Sequence, residues 1–116
     1  MSEQIAQYEG EISQAIMDCA MMGYEEQEMN PDSNSPESML ANACAFHGQS
    51  SAGDQEILNI AYKCGPFRNI IDMMGDEQRS MFGGQTAPRH LIFDLLVDYG
   101  IVEQICMDFQ SVVYGE

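Results

Sequence analysis

The chain has 116 residues, 45% of them apolar, and sets 19 acids against four basic residues for a formal charge of −15. That apolar share supports a core, so simple acidic disorder, which pairs high charge with low hydrophobicity, is excluded. The charge excludes the basic footprint of a nucleic-acid binder and attraction to anionic membrane surfaces, and no apolar run approaches the roughly 18 residues that would cross a bilayer.

Residues 3–23 are expected to form a helix. Ile5, Tyr8, Ile12, Ala15, Ile16, Cys19 and Met22 recur at three- and four-residue steps as one apolar stripe, while Glu11, Gln14, Asp18, Met21 and Glu25 fall on another face. Glu11 and Asp18 stand two turns apart, about 10.5 Å along the axis. Gly23 reads as the stop. Residues 24–35 show no apolar period and contain Asn30-Pro31, a turn signal, so they read as a polar, acidic loop.

Ser35-Pro36-Glu37 is a helix start: an N-cap, a proline in the first turn and an acid facing the helix dipole. Met39, Leu40, Ala43, Cys44 and His47 follow on one face up to Gly48. After a break, Ser51 with Asp54 imitates a capping box, and Ile57, Leu58, Ala61 and Cys64 mark a helix closed by Gly65-Pro66. Phe67, Ile70, Ile71 and Met74 give a short helix to Gly75, with one more turn from Glu77 to Phe82. Thr86-Ala87-Pro88 opens a helix with core face Leu91, Ile92, Leu95, Leu96 and Tyr99; Gly100 interrupts it, and Val102, Ile105, Phe109, Val112 and Val113 continue. Strict alternation never persists long enough for a strand. The expected fold is all-α, a compact bundle of six or seven short helices in a single domain over 1–116. Met1-Ser2-Glu3-Gln4 lacks the features of a secretion leader, so a cytoplasmic location is expected.

The four cysteines, Cys19, Cys44, Cys64 and Cys106, lie in apolar-periodic segments without a C-x-x-C, and read as free buried thiols in a reducing compartment. Cys44 and His47 at i, i+3, with Cys64 and His90, could form a zinc set, but structural zinc sites draw ligands in tight pairs and here only one pair is tight. Cysteine catalysis by Cys44 with His47 is disfavoured, because surrounding acids raise a thiol pKa. Asp32-Ser33-Asn34 starts like a calcium loop, but its sixth and twelfth positions are Glu37 and Ala43 where glycine and glutamate are needed. Acyl carriers bear their prosthetic arm on the serine of an Asp-Ser-Leu at a helix start; the nearest sequence is Glu37-Ser38-Met39, which departs at two of three positions. No enzymatic activity, metal or cofactor is expected.

The acids themselves carry the functional expectation. The first 62 residues hold eleven acids and neither lysine nor arginine, whereas the remaining 54 hold eight acids and all four cations, Lys63, Arg68, Arg79 and Arg89. A solvated surface accounts for many acidic domains; removing every cation from one half is what a surface meant for a basic partner requires. A helix with carboxylates along one face can imitate the charged backbone of DNA or RNA and occupy a basic cleft. Small phage inhibitors of host defence, anti-CRISPR proteins among them, are similar in size and charge. The expected contact set is Glu11, Asp18, Glu25, Glu26, Glu28 and Asp32, with Met21 and Tyr24 as apolar contacts in an acidic rim. The alternative is an adaptor that assembles through apolar helix faces, as a homodimer or on a partner.

Overall fold

The computed structural model describes residues 2–49 and 53–115. They form six α-helices: α1 (Ser2–Met29), α2 (Pro36–Ala45), α3 (Asp54–Tyr62), α4 (Gly65–Glu77), α5 (Arg89–Asp98) and α6 (Ile101–Tyr114), with a 3-10 turn at Arg79–Phe82 between α4 and α5. No strand occurs among the described residues, and the architecture is the all-α bundle expected from periodicity. Among the described residues no helix is long and apolar enough to cross a membrane.

The first helix departs most from expectation. It runs through Gly23 to Met29, 28 residues in all, or about 42 Å, close to the 46 Å long axis of the molecule. Gly23 is not a stop but a contact. A Cβ built there would sit 1.9 Å from the Glu37 carbonyl oxygen, so only glycine lets the backbones of α1 and α2 approach this closely. The expected loop over 24–35 shrinks to 30–35. Its Asn30 N–H still donates to the Glu26 carbonyl at 2.8 Å, and Pro31 ends the helix.

The buried stripe of α1 also drifts. Near its start Gln4 donates to the Met74 carbonyl and Tyr8 to Glu77, both on α4; farther along Gly23 meets α2 at Glu37 and Tyr24 meets Phe109 of α6. The rotation carries Met22 out to 58% exposure, although the stripe extrapolated from Cys19 places it inside. Met21 and Tyr24 are carried inward and pack half-buried against the core. Met39, Tyr99 and Val112, expected on core faces, are likewise exposed.

The later elements follow their signals closely. Ser35 caps α2, its hydroxyl accepting from the Ser38 N–H at 3.2 Å, and Pro36 occupies the first turn. The Ser51 capping reading lies outside the described residues; α3 follows Gly53, whose carbonyl accepts from the Ile57 N–H at 3.1 Å. Gly65-Pro66 both closes α3 and opens α4, which reaches Glu77, beyond the expected stop at Gly75. Gly100, at φ 73°, supplies the left-handed corner between α5 and α6. The centre is aromatic: Phe67 stacks on Phe93 at 6.0 Å, Tyr62 meets Phe93 edge-on at 6.2 Å, and Tyr24 meets Phe109 edge-on at 6.3 Å. Such pairs add about 0.5–1.5 kcal/mol each to the burial of their surface.

Candidate partner-binding face

The outer face of α1 presents Glu11, Asp18 and Glu25, all exposed and seven residues apart. Seven residues are almost two whole turns, so the three carboxylates stand in line over roughly 21 Å. Between and beyond them the drift of the buried stripe leaves Met22 at 58% and Met29 at 88% exposure. Met22, Glu25, Glu26, Met29 and Asn30 together line an open depression at the end of the helix. Glu28 and Asp32 are exposed beside it.

The end of α1 is held firmly. The Gln27 side-chain amide donates to the Ser38 carbonyl at 2.9 Å and to its hydroxyl at 2.8 Å, and that hydroxyl donates to the Ser33 carbonyl at 3.0 Å. Ser33 and Ser35 donate their hydroxyls to the Glu26 carboxylate, which holds its pKa below the usual value, Ser33 being the larger cause. Glu26 therefore lines the depression while serving the turn. The helix, its acids and the 30–35 turn form one preorganised surface, which lowers the entropy lost on binding.

Of the eight residues expected to contact a partner, Glu11, Asp18, Glu25, Glu28 and Asp32 face solvent, Glu26 is engaged by Ser33 and Ser35, and Met21 and Tyr24 are turned toward the core. The apolar part of the face belongs to Met22 and Met29, whose seven-residue spacing, offset by four from Asp18 and Glu25, was the sequence signal for it.

The face is electrostatically unopposed. Two ion pairs occur among the described residues, His47 with Asp54 at 2.8 Å and Arg79 with Asp76 at 3.8 Å, and neither involves α1. A second of the four cations is also engaged, with the Arg89 guanidinium 4.2 Å from the centre of the Tyr62 ring. With seven acids in 28 residues, α1 carries one charge per about 6 Å of axis. That is roughly half the density of one DNA strand at about 3.4 Å per charge. The face offers separate carboxylates, within reach of long cationic side chains, more than a continuous charged rail.

The other candidate chemistries do not assemble. Cys44 and Cys64 are buried, His47 Nε2 meets Asp54, and His90 is exposed on α5. No group of three or more metal-ligating side chains comes together among the described residues. Contact with Cys106, and then burial, pushes the Cys44 thiol up. Burial foremost pushes Cys64 up to about 12. Neither supplies a thiolate near neutral pH. Ser38 is 1% exposed with its hydroxyl bonded on both sides, so it is closed to a prosthetic arm. Comparison with protein-family models, with curated proteins and with solved structures finds no match.

Proposed function

We propose that this chain is a non-enzymatic, cytoplasmic interaction module that binds and inhibits a nucleic-acid-handling protein by covering its basic surface, as phage anti-defence proteins of the anti-CRISPR type do. The observation that carries this reading is the outer face of α1: Glu11, Asp18 and Glu25 in line, free of ion pairs, with Met22 and Met29 exposed among them. Magnitudes divide the labour. An exposed carboxylate–cation pair contributes about 0.2–1 kcal/mol, so three such pairs steer and orient a partner without holding it. Burying two methionine side chains is worth about 1.5–3 kcal/mol each, and this term sets the lifetime of the complex.

A pull-down with the full chain, eluted by a salt gradient and read by mass spectrometry, tests the reading. A nucleic-acid-handling protein should elute at moderate salt. The triple reversal Glu11→Lys, Asp18→Lys, Glu25→Lys should abolish that capture while the circular dichroism stays that of the parent. If the reversed chain captures the same protein as well as the parent does, the acids only solvate the helix.

A second reading, assembly through an apolar helix face, is favoured by one observation. On α6, Met107, Gln110, Ser111 and Tyr114 line an open depression on its outer side, with Met107 56% and Tyr114 57% exposed. Self-association there would persist or strengthen at high salt, and sedimentation at low and high ionic strength separates the two.

A further inference from the structure

Met22, Glu25, Glu26 and Met29 stand at positions i, i+3, i+4 and i+7 of α1, the spacing that brings side chains to one face of a helix. With Asn30 they line the open depression at the end of that helix, about 400 Å³ in volume, which falls in the range of roughly 300–1,000 Å³ usual for binding sites. Its two ends are apolar, formed by the exposed Met22 and Met29, and methionine adapts readily to whatever apolar surface it meets. Its middle is anionic. Glu25 faces solvent, and Glu26 is half-buried with one carboxylate oxygen accepting from the Ser33 hydroxyl. A carboxylate has about four acceptor sites, so the other oxygen of Glu26 stays open to a second donor. Neither ion pair among the described residues involves these acids, and the first lysine or arginine along the chain is Lys63.

We propose that this depression docks a basic amphipathic helix of a partner protein, with apolar residues seven apart lying on Met22 and Met29 and arginines between them meeting Glu25 and Glu26. The inference rests on the partner-binding reading above and names the element which that reading leaves open. Spacing selects a helix. Met22 and Met29 stand about 10.5 Å apart along α1, and a helix lying alongside repeats its own contact residues over the same distance. An extended strand covers that length in about three residues, and strand residues three apart point to opposite faces, so a strand cannot cover both methionines from one side. Charge selects basic residues between the apolar ones, because both acids in the middle are without a cation of this chain. Arginine suits the place better than lysine: its guanidinium is more weakly hydrated and meets a carboxylate with two N–H groups, while its stem lies along the methionines.

The test follows the methionine methyl signals of the full chain by NMR at about 0.15 M salt. The probe is a helical peptide of about 15 residues with leucines seven apart and arginines at the third and fourth positions after the first leucine. The Met22 and Met29 methyls should move while that of Met74, buried in the core, stays. Citrulline in place of the arginines, which keeps the shape and removes the charge, should weaken binding at least about 5-fold. Serine in place of the leucines should weaken it at least about 10-fold. Glu25→Gln with Glu26→Gln should weaken the arginine peptide and leave the citrulline peptide unchanged, with the circular dichroism of the parent. The proposal is overturned if neither methyl moves at millimolar peptide, if the citrulline peptide or a scrambled peptide binds equally well, or if both methyls move on concentrating the chain alone, which gives the face to a second copy. The peptide comparisons need no variant of the chain, so they decide the matter should the double substitution fail to fold. A chain that takes the peptide yet captures no nucleic-acid-handling protein refutes the inhibitor reading and keeps this one; a chain that captures such a protein but not the peptide does the reverse.

Discussion

Gly23→Ala tests the close crossing of α1 and α2. If Gly23 lay mid-helix facing solvent, alanine would stabilise the chain by about 1 kcal/mol through helix propensity alone. In the structure the new Cβ would lie 1.9 Å from the Glu37 carbonyl oxygen and 2.3 Å from its carbon, both backbone atoms that no rotamer change can move aside. Restoring an ordinary contact needs α1 and α2 to part by on the order of 1 Å along their main interface, which opens gaps in an interior packed at crystal-like density. Overpacking of this kind costs about 1–3 kcal/mol, and a backbone obstacle belongs at the upper end. The gain of about 1 kcal/mol offsets part of that, leaving a net loss of about 2 kcal/mol, a substantial share of the usual 5–15 kcal/mol. Gly10 is the internal control. It lies on the same helix with nothing within 4 Å of its built Cβ, so Gly10→Ala should stabilise by about 0.5–1 kcal/mol. Urea unfolding followed by circular dichroism reads both, through the midpoint at unchanged slope. A Gly23→Ala chain as stable as the parent, or more so, would refute the close crossing of α1 and α2.

Two further outcomes follow from the core and from the acid face. Cys64 is pushed up to about 12, first by burial and then by Cys19, from an ordinary 9.0. The folded chain thus keeps a proton that the unfolded chain sheds, and this stability is whole below pH 9 and drains as pH rises toward 12, by up to about 1.4 kcal/mol per unit. Tyr8, raised by its hydrogen bond to Glu77, and Tyr62, raised by Asp72, act in the same direction above their ordinary 10.0; urea midpoints should fall between mildly and strongly alkaline buffer, less steeply in Cys64→Ala. On the outer face, Met22→Gln with Met29→Gln should speed dissociation from the partner at least about 10-fold and leave the low-salt association rate intact, whereas Glu25→Lys should slow association. Surface plasmon resonance distinguishes the two, and an effect of the methionines on association alone would count against their role as the holding contact.

What the sequence made legible is what local chemistry determines. The start of α2 could be read from Ser35-Pro36-Glu37 because an N-cap and an N1 proline act within one turn. The corner at Gly100 was readable because a left-handed residue interrupts any helical period. The same residue type misled at Gly23, because a glycine that ends a helix and one that admits a neighbouring backbone are identical in sequence. The difference lies in Glu37, fourteen positions on. A stop at Gly23 puts the acids after it in a loop and hides the true length of α1, which extends to Met29.

The unexpected partial burial of Met21 and exposure of Met22 have the same root. A fixed helical period assigns each residue to one face, but a helix that changes neighbours along its length rotates its buried stripe. In α1 the change comes near Cys19: before it the acid and apolar faces stand where the period puts them, and after it Met22 and Met21 exchange roles. Glu11, Asp18 and Glu25 survive this because each sits near the middle of the outward arc, where a modest rotation moves nothing across a boundary. Met21 and Met22 sit at its edges, where the same rotation decides everything. The exposed acids were therefore readable from spacing alone, while the exposed methionines depended on where α2 and α6 press against the helix.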